Sequence, residues 1–417
     1  MSWVLPVSMQ VVAAVSSPAA SGVTFDDALG LAQKAPVVTS GERAAERAIK
    51  ASAGLPSMSS NPQVTLQPGG RIAPATDVGP EFMVSVSQSW NLAGLGEARR
   101  TTLKTEGEAL RAEARAAALA QRLGAAKVWL DLWAAQKLKA LASDEADVAR
   151  DLAKLAEKAL AAEAATKADA AEARAYHAEA KLMVIDAEGE VFELGLQLAR
   201  ETASLKAEPI AASGEPPEPS LPEPGTWATA ITQVERLPAV QAKALAQRAE
   251  KARAAEEGAA RGTQISVGAV VQKDGPQNYA AFGAVGITIP LFDRGQRERA
   301  SIEAREEKLG GEKASAVLDA RTELAAAFHH VRHTGEIVAA VKDELLPPLV
   351  EAAAAREAIF RAGDGTMIDV LGARRRVIAA KARLVRARAA NAWAKVKVWL
   401  LLAELKSAGD RARKEAP

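Results

Sequence analysis

The chain has 417 residues with 53 Lys or Arg against 52 Asp or Glu, a formal net charge of +1, and no Cys. This balance leaves no electrostatic footprint for nucleic acid, and the missing thiols exclude disulfides, thiolate metal sites and cysteine catalysis. Hydrophobic residues reach 48% but aromatics only 4%, because alanine supplies much of the difference; such a chain is suited to long packed helices rather than one wide core.

From the N-terminus, an apolar run from Val4 to Val15 is followed by the small residues Ser16, Ser17, Pro18, Ala19 and Ala20. Residues 1–20 read as a secretory signal, atypical in that no Lys or Arg precedes Lys34. No later stretch of about 20 apolar residues exists, so no transmembrane helix is expected.

The rest of the chain is written twice, with a period of about 200 residues. Phe25, Ala28, Leu29 and Pro36 match Trp227, Ala230, Ile231 and Pro238. Gln63-Val64-Thr65-Leu66 matches Gln264-Ile265-Ser266-Val267, and Arg122 and Trp129 match Arg321 and Phe328. Thr166, Asp169, Ala173 and Arg174 match Thr366, Asp369, Ala373 and Arg374. The first repeat, 21–207, predicts a helix over Thr24–Leu55 and strands over Gln63–Arg71 and Phe82–Leu92. A very long helix over Glu97–Ala161 and a return helix over Thr166–Ser204 complete it. A linker, 208–225, follows; Pro209, Pro216, Pro217, Pro219, Pro222 and Pro224 bar it from helix or central strand. The second repeat, 226–408, predicts a helix over Thr226–Arg261 and strands over Gln264–Lys273 and Tyr279–Phe292. Helices over Gln296–Arg361 and Thr366–Lys406 come next, and residues 409–417 form a tail.

The strands alternate. Val84, Val86, Trp90 and Leu92 oppose Ser85, Ser87, Ser89 and Asn91; Val285, Ile287, Ile289 and Leu291 oppose Ala284, Gly286 and Thr288. Ile265, Val267, Ala269 and Val271 are set likewise against Gln264, Ser266, Gly268 and Val270. Aliphatic-out and small-polar-in over about ten residues is the pattern of a membrane barrel. Four strands cannot close a barrel, and an open sheet edge does not survive in hydrocarbon, so several copies must pool their strands.

Two segments carry a resemblance. Gly286-Ile287-Thr288-Ile289-Pro290-Leu291-Phe292-Asp293-Arg294-Gly295-Gln296-Arg297 is similar to the strand-to-helix exit of TolC-like outer membrane efflux proteins. Ala362-Gly363-Asp364-Gly365-Thr366-Met367-Ile368-Asp369-Val370-Leu371 is similar to their helix-tip motif, with the CzcC/CusC-type heavy-metal branch nearest in flavour. The resemblance implies a mainly α fold with a small β-barrel contribution. In it, duplicated strand-strand-long helical hairpin halves build a trimeric α/β barrel, with a twelve-stranded outer-membrane β-barrel above a periplasmic α-helical barrel. It implies a homotrimer in the outer-membrane bilayer, docked to a periplasmic adaptor (membrane fusion protein) and an inner-membrane RND-type transporter. It implies no catalytic residue and no cofactor. Many relatives carry a lipidated N-terminal Cys; this chain has no Cys, so no acyl anchor is expected.

Within that frame Asp369, Asp169 and Glu172 are the candidate gate or pore-lining acids. Asp169 and Asp369 each sit three residues after a capping Thr, where a carboxylate also suits the helix dipole, so capping alone or capping plus pore lining would explain them. Gly363, Asp364, Gly365, Thr366 and Thr166 are the candidate adaptor contacts at the tips. Pro347 and Pro348 should kink the second long helix. Arg374-Arg375-Arg376 reads as a solvated face. His329 and His333 lie one helical turn apart beside His330, a spacing that can hold a divalent metal. No bridging carboxylate or HExxH motif accompanies them, so they are read as helix surface and no metal site is assigned. The reading is a passive exit channel; the alternative is a soluble or periplasmic coiled-coil adaptor, which would lack paired alternating strands. A hydrolase built on the histidines finds no acid–base constellation.

Overall fold

The computed structural model describes residues 22–56, 60–70, 80–204, 208–275 and 278–415. The candidate signal, residues 1–20, lies outside them, as do residues 71–79. The elements are β1 (Gly22–Val23), α1 (Phe25–Ala32), α2 (Pro36–Gly54), β2 (Gln63–Gly70), β3 (Pro80–Asn91), α3 (Leu95–Ala161), α4 (Lys167–Glu201), β4 (Ala211–Ala212), α5 (Trp227–Thr232), α6 (Pro238–Ala260), β5 (Gln264–Asp274), β6 (Asn278–Thr288), α7 (Gln296–Ala339), α8 (Leu346–Arg361) and α9 (Met367–Glu415). Helix–strand–strand–long helix–return helix thus occurs once from Pro36 and again from Pro238.

Four boundaries differ from expectation, three of them because of a proline. The helices expected from Thr24 and Thr226 are each interrupted: Pro36 and Pro238, matched in the repeat, open α2 and α6, because proline supports a helix start but not its interior. β6 stops at Thr288 rather than Phe292; Pro290 has no N–H for a ladder. Helix α9 runs on through Glu415, so most of the expected tail is helical.

The chain divides into two compact units, each drawing on both halves. One contains the sheet and takes in Gln33–Leu123, Pro219–His330 and the chain from Lys397. Its four strands are antiparallel in the order β2-β3-β5-β6, with Val64 opposite Val86, Val86 opposite Ala269, and Val267 opposite Val285. Opposed residues point to one side of a sheet. Val64, Leu66, Val84, Val86, Trp90, Ile265, Val267, Val271, Val285 and Ile287 therefore share a face, and Thr65, Ser85, Ser87, Ser89, Ser266 and Thr288 share the other. The helices beside the sheet are laced by ion pairs, Arg99–Glu256 at 3.5 Å and Arg253–Glu106 at 2.6 Å, and Trp227 stacks on Phe328 at 4.4 Å.

The other unit holds Gly124–Glu218, Val331–Val396 and the segment up to Ala32. The repeat reappears in its aromatic pair: Phe25 meets Trp129 edge-on at 5.4 Å, the positions that correspond to Trp227 and Phe328. The Trp129 indole also donates to the Val23 carbonyl at 2.8 Å. Helix α3, 67 residues and about 100 Å long, turns into α4, and α8 turns into α9. Both turns close alike. Ala164 N–H donates to Ala159 O at 2.8 Å and Glu163 N–H to Leu160 O; Asp364 N–H donates to Ile359 O at 3.2 Å and Gly363 N–H to Phe360 O. This is the Schellman closure, which needs a left-handed residue. Gly363 supplies it at φ 88°, whereas Glu163 is forced to φ 56°. Between the hairpins, Leu152, Tyr176, Met367, Val370 and Leu371 pack among buried alanines, whose short side chains let the backbones approach closely.

The two turns make a matched test. Nothing lies within 4 Å of a Cβ built on Gly363, so Gly363→Ala loses only backbone freedom. It should lower stability by about 1 kcal/mol, whereas Glu163→Gly should leave stability unchanged or raise it. Thermal unfolding followed by circular dichroism reads both.

Candidate functional site

At the hairpin ends the capping threonines and their acids form the polar surface. The Thr166 hydroxyl donates to Asp169 Oδ2 at 2.6 Å, Thr166 N–H donates to the same oxygen at 3.0 Å, and Asp169 N–H donates back to the Thr166 hydroxyl at 3.2 Å. That reciprocal box satisfies donors the helix start would otherwise leave open. The Thr166 hydroxyl, the Thr166 N–H and the backbone of Met367 hold the Asp169 carboxyl below its ordinary pKa against a smaller opposing effect of burial. A depressed carboxyl stabilises the fold above its unfolded pKa, and that contribution is lost as pH falls through the folded value. Thr366 and Asp369 repeat the two bonds of the hydroxyl, to the carboxylate at 2.8 Å and from the Asp369 N–H at 3.2 Å. Capping therefore accounts for the placement of both acids. Asp369 is exposed, as are Glu172, Asp364 and Thr366, and Asp169 is half-buried. A Cβ on Gly365 would meet Ile359 at 3.1 Å and the Phe360 nitrogen at 3.2 Å, so a larger residue there would press on the end of α8.

The structure also joins residues that the sequence did not. Glu145 of α3 is only 2% exposed. The Tyr176 hydroxyl of α4 donates to its Oε1 at 2.6 Å, and Arg374 of α9 donates from Nε at 3.3 Å and from Nη2 to Oε2 at 3.4 Å. Arg374 also reaches Glu357 of α8 at 3.8 Å. Its neighbour Arg375 pairs with Glu179 at 2.8 Å and lies over the Tyr176 ring. One buried carboxylate thus ties the first hairpin to the second. Burial first, and then the bond to Glu145, raise the Tyr176 pKa well above its ordinary value, so the phenol remains a neutral donor. In the arginine run read as a solvated face, Arg374 and Arg375 are engaged in this way, because α9 turns them toward the acids of α3, α4 and α8.

Pro347 and Pro348 stand in the first turn of α8, and a π-helical turn, Ala340–Leu345, connects it to α7. The wider turn is where the i→i−4 ladder accommodates two residues without N–H groups. His329, His330 and His333 are exposed on α7, and among the described residues no group of three or more His, Asp or Glu could hold a metal ion.

The open sheet is the second feature. Its aliphatic face is uncovered, with Val285 75% and Val64 70% exposed, and β2 and β6 each have one neighbour only among the described strands. Among the described residues no helix is long and apolar enough to cross a membrane.

No protein-family model matches the sequence, and no curated protein matches it. Solved structures do match the fold over nearly the whole chain. The CmeC outer membrane channel of Campylobacter jejuni aligns with a TM-score of 0.71 at 13% identity, covering 100% of this chain and 97% of that one. A Pseudomonas aeruginosa membrane protein gives 0.70 at 18%, covering 95% and 96%. CusC, described as forming a transmembrane channel, gives 0.69 at 14%, covering 93% and 95%. The chain therefore has the fold of an outer-membrane channel protomer. Within that class it is the TolC-like architecture of strand pairs and long helical hairpins that the tip and exit motifs resembled.

The buried node yields a mutational test. Glu145→Ala leaves Arg374 and the Tyr176 hydroxyl without their acceptor and should cost about 2–4 kcal/mol, whereas Tyr176→Phe should cost about 1 kcal/mol. The double variant should fall short of the sum, since both act on one network; denaturant melts of the helical signal measure all three.

Proposed function

We propose that three copies of this chain form an outer-membrane exit duct, through which small solutes leave a tripartite efflux pump. The observation that carries this is the sheet: an aliphatic face continuous over four strands, with an edge strand on each side that has one neighbour only among the described strands. In water that face would be a large exposed apolar patch. In lipid the face is favourable, but the two edges then require strands from neighbouring copies. The helical hairpins project into the periplasm in this reading. Their tips, with Gly363, Asp364, Gly365, Thr366 and Thr166, meet a periplasmic adaptor, which links the duct to an inner-membrane RND-type transporter. Asp169, Asp369 and Glu172, repeated by three-fold symmetry, line the narrow end as carboxylate rings. The Pro347-Pro348 bend lets α8 lean toward that end. The duct does no chemistry of its own, and the transporter chooses between metal ions and organic solutes.

Detergent-purified protein should have the mass of a trimer and should conduct in planar bilayers. Val285→Lys, on the aliphatic face, should cost about 2–4 kcal/mol per copy if near mid-bilayer and sharply reduce membrane assembly. Ser266→Lys, on the opposite face, should assemble normally with altered conductance. A non-conducting monomer would overturn the reading.

Asp169→Asn combined with Asp369→Asn should reduce the preference for cations, read as a shift of reversal potential in a salt gradient toward zero. An unchanged reversal potential removes the two acids from the gate and leaves them as caps.

A further inference from the structure

Two helices of the hairpin unit keep an apolar stripe that the described residues of the chain leave uncovered. On α4, Ala171, Ala175, Ala178, Leu182, Ile185 and Phe192 recur at intervals of three, four or seven residues, the spacing that makes one seam along a helix. All six are exposed, Leu182 by 60%, Ile185 by 61% and Phe192 by 54%. The stripe lies on the side of α4 away from Ala173, Tyr176 and Ala180, which are buried with Met367, Val370 and Leu371 of α9. On α8, Pro348, Ala352, Ala355 and Ile359 keep the same spacing and are exposed, while Ala353 is buried with Ala373 and Val377, also of α9. Helix α9 thus fills the inner faces of both α4 and α8, and their outer stripes stay bare. Gly189 continues the stripe on α4. A glycine inside a helix costs stability, and nothing lies within 4 Å of a Cβ built on this one, so no contact within the chain calls for it.

The two stripes match in height. The backbone of Met367, at the start of α9, hydrogen-bonds the Asp169 carboxyl at the start of α4, so the turn that ends α8 is level with the turn that opens α4. At about 1.5 Å per residue, Ala175 stands about 12 Å along α4 from its start, and Ala352 about 13 Å back along α8 from its end. Ala178, at about 16 Å, falls between Ala352 and Pro348, which is at about 20 Å. Helix α4 runs away from the turn and α8 runs toward it, so the stripes form antiparallel seams whose side chains alternate in height, as knobs-into-holes packing requires. Rotation of one copy onto the next about an axis along the helices changes no height. We infer that the α4 stripe of one copy is covered by the α8 stripe of a second copy, in an antiparallel seam of this register. The inference rests on the reading that copies assemble into a ring, and it adds a helical contact to the pooled strands. It joins the first half of one copy to the second half of the next, the same halves that supply the open edges β2 and β6.

The chain has no Cys, so a pair of introduced thiols reports one contact only. Full-length, detergent-purified protein carrying Ala175→Cys with Ala352→Cys is oxidised mildly and run on a denaturing gel. A disulfide needs Cα atoms about 4–7 Å apart, a separation the seam supplies between copies. Covalent dimers and trimers should form at least about fivefold more than in the control, Ala175→Cys with Ala354→Cys. Ala354, two residues along α8, lines the cleft beside Glu145 on another side of that helix. Leu182→Glu with Ile185→Glu should keep the helical signal, since both side chains are exposed in the chain, and should lower the temperature at which the trimer dissociates. A particle with the mass of a trimer that gives no covalent ladder, or the same ladder in the control, overturns the seam, hands the stripe to a partner of another kind and leaves the duct standing. An unchanged dissociation temperature also overturns the seam alone. A monomer by mass sinks the duct and the seam together.

Discussion

The backbone of four strands is the constraint from which the architecture follows. Each interior strand of the sheet finds ladder partners on both sides, but β2 and β6 present a row of N–H and C=O groups with no strand opposite among the described residues. Water would satisfy those groups, yet the aliphatic face of the same strands disfavours water. Lipid would accept the face, yet leaves edge groups unsatisfied at several kcal/mol each. Only pairing with further strands in a non-aqueous surround meets both demands. β2 and β6 are therefore complementary in need, and in the proposed duct rotation of identical copies about an axis would bring one edge to the other.

Duplication gives each copy two hairpins from one plan, and the differences between them show where the plan has been altered. The aromatic contact is kept in kind but not in geometry, edge-on for Phe25 with Trp129 and stacked for Trp227 with Phe328. The left-handed turn residue is glycine in one half and Glu163 in the other, so the first turn holds a conformation its side chain disfavours. The largest change is in the long helices. Helix α3 runs unbroken, whereas its counterpart passes through a π turn into Pro347 and Pro348. Two near-copies with one interrupted helix cannot bend alike, which gives the protomer two unequal hairpins from one sequence pattern.

Much of this was legible in the residues because the signals were local. Strand faces came from alternation, and the register then placed Val64, Val86, Val267 and Val285 on one side as that alternation required. The capping role of Thr166 and Asp169 came from a three-residue spacing. What escaped was set by helix rotation or by partners far away in sequence. Glu145 is one acid among many on α3, and nothing local distinguishes it. Only packing reveals that it faces Tyr176 and Arg374 while Glu157, on the same helix, does not. A weak signal was present in Tyr176, one of two tyrosines in the chain, placed within an alanine-rich return helix where a phenol needs a polar partner. Pro36 and Pro238 are repeat anchors whose helix breaks are hidden by the helical pattern that continues on either side of them.

The Glu145 node also answers a difficulty that alanine creates. Alanine seams let helices approach closely but offer small, nearly uniform knobs, so one-turn slips of a long hairpin lose little packing. A buried carboxylate changes that. In register it accepts from the Tyr176 hydroxyl and from two nitrogens of Arg374. Shifted by a turn, about 5.4 Å, it would keep its burial and lose its donors, a penalty that no sliding of alanines offsets. The ion pair need contribute little net stability to do this; it need only make every other register worse. Helices of about 100 Å built from such plain surfaces therefore hold their alignment through a few polar contacts, and those contacts lie near the hairpin ends, where an error in register would displace the tips most.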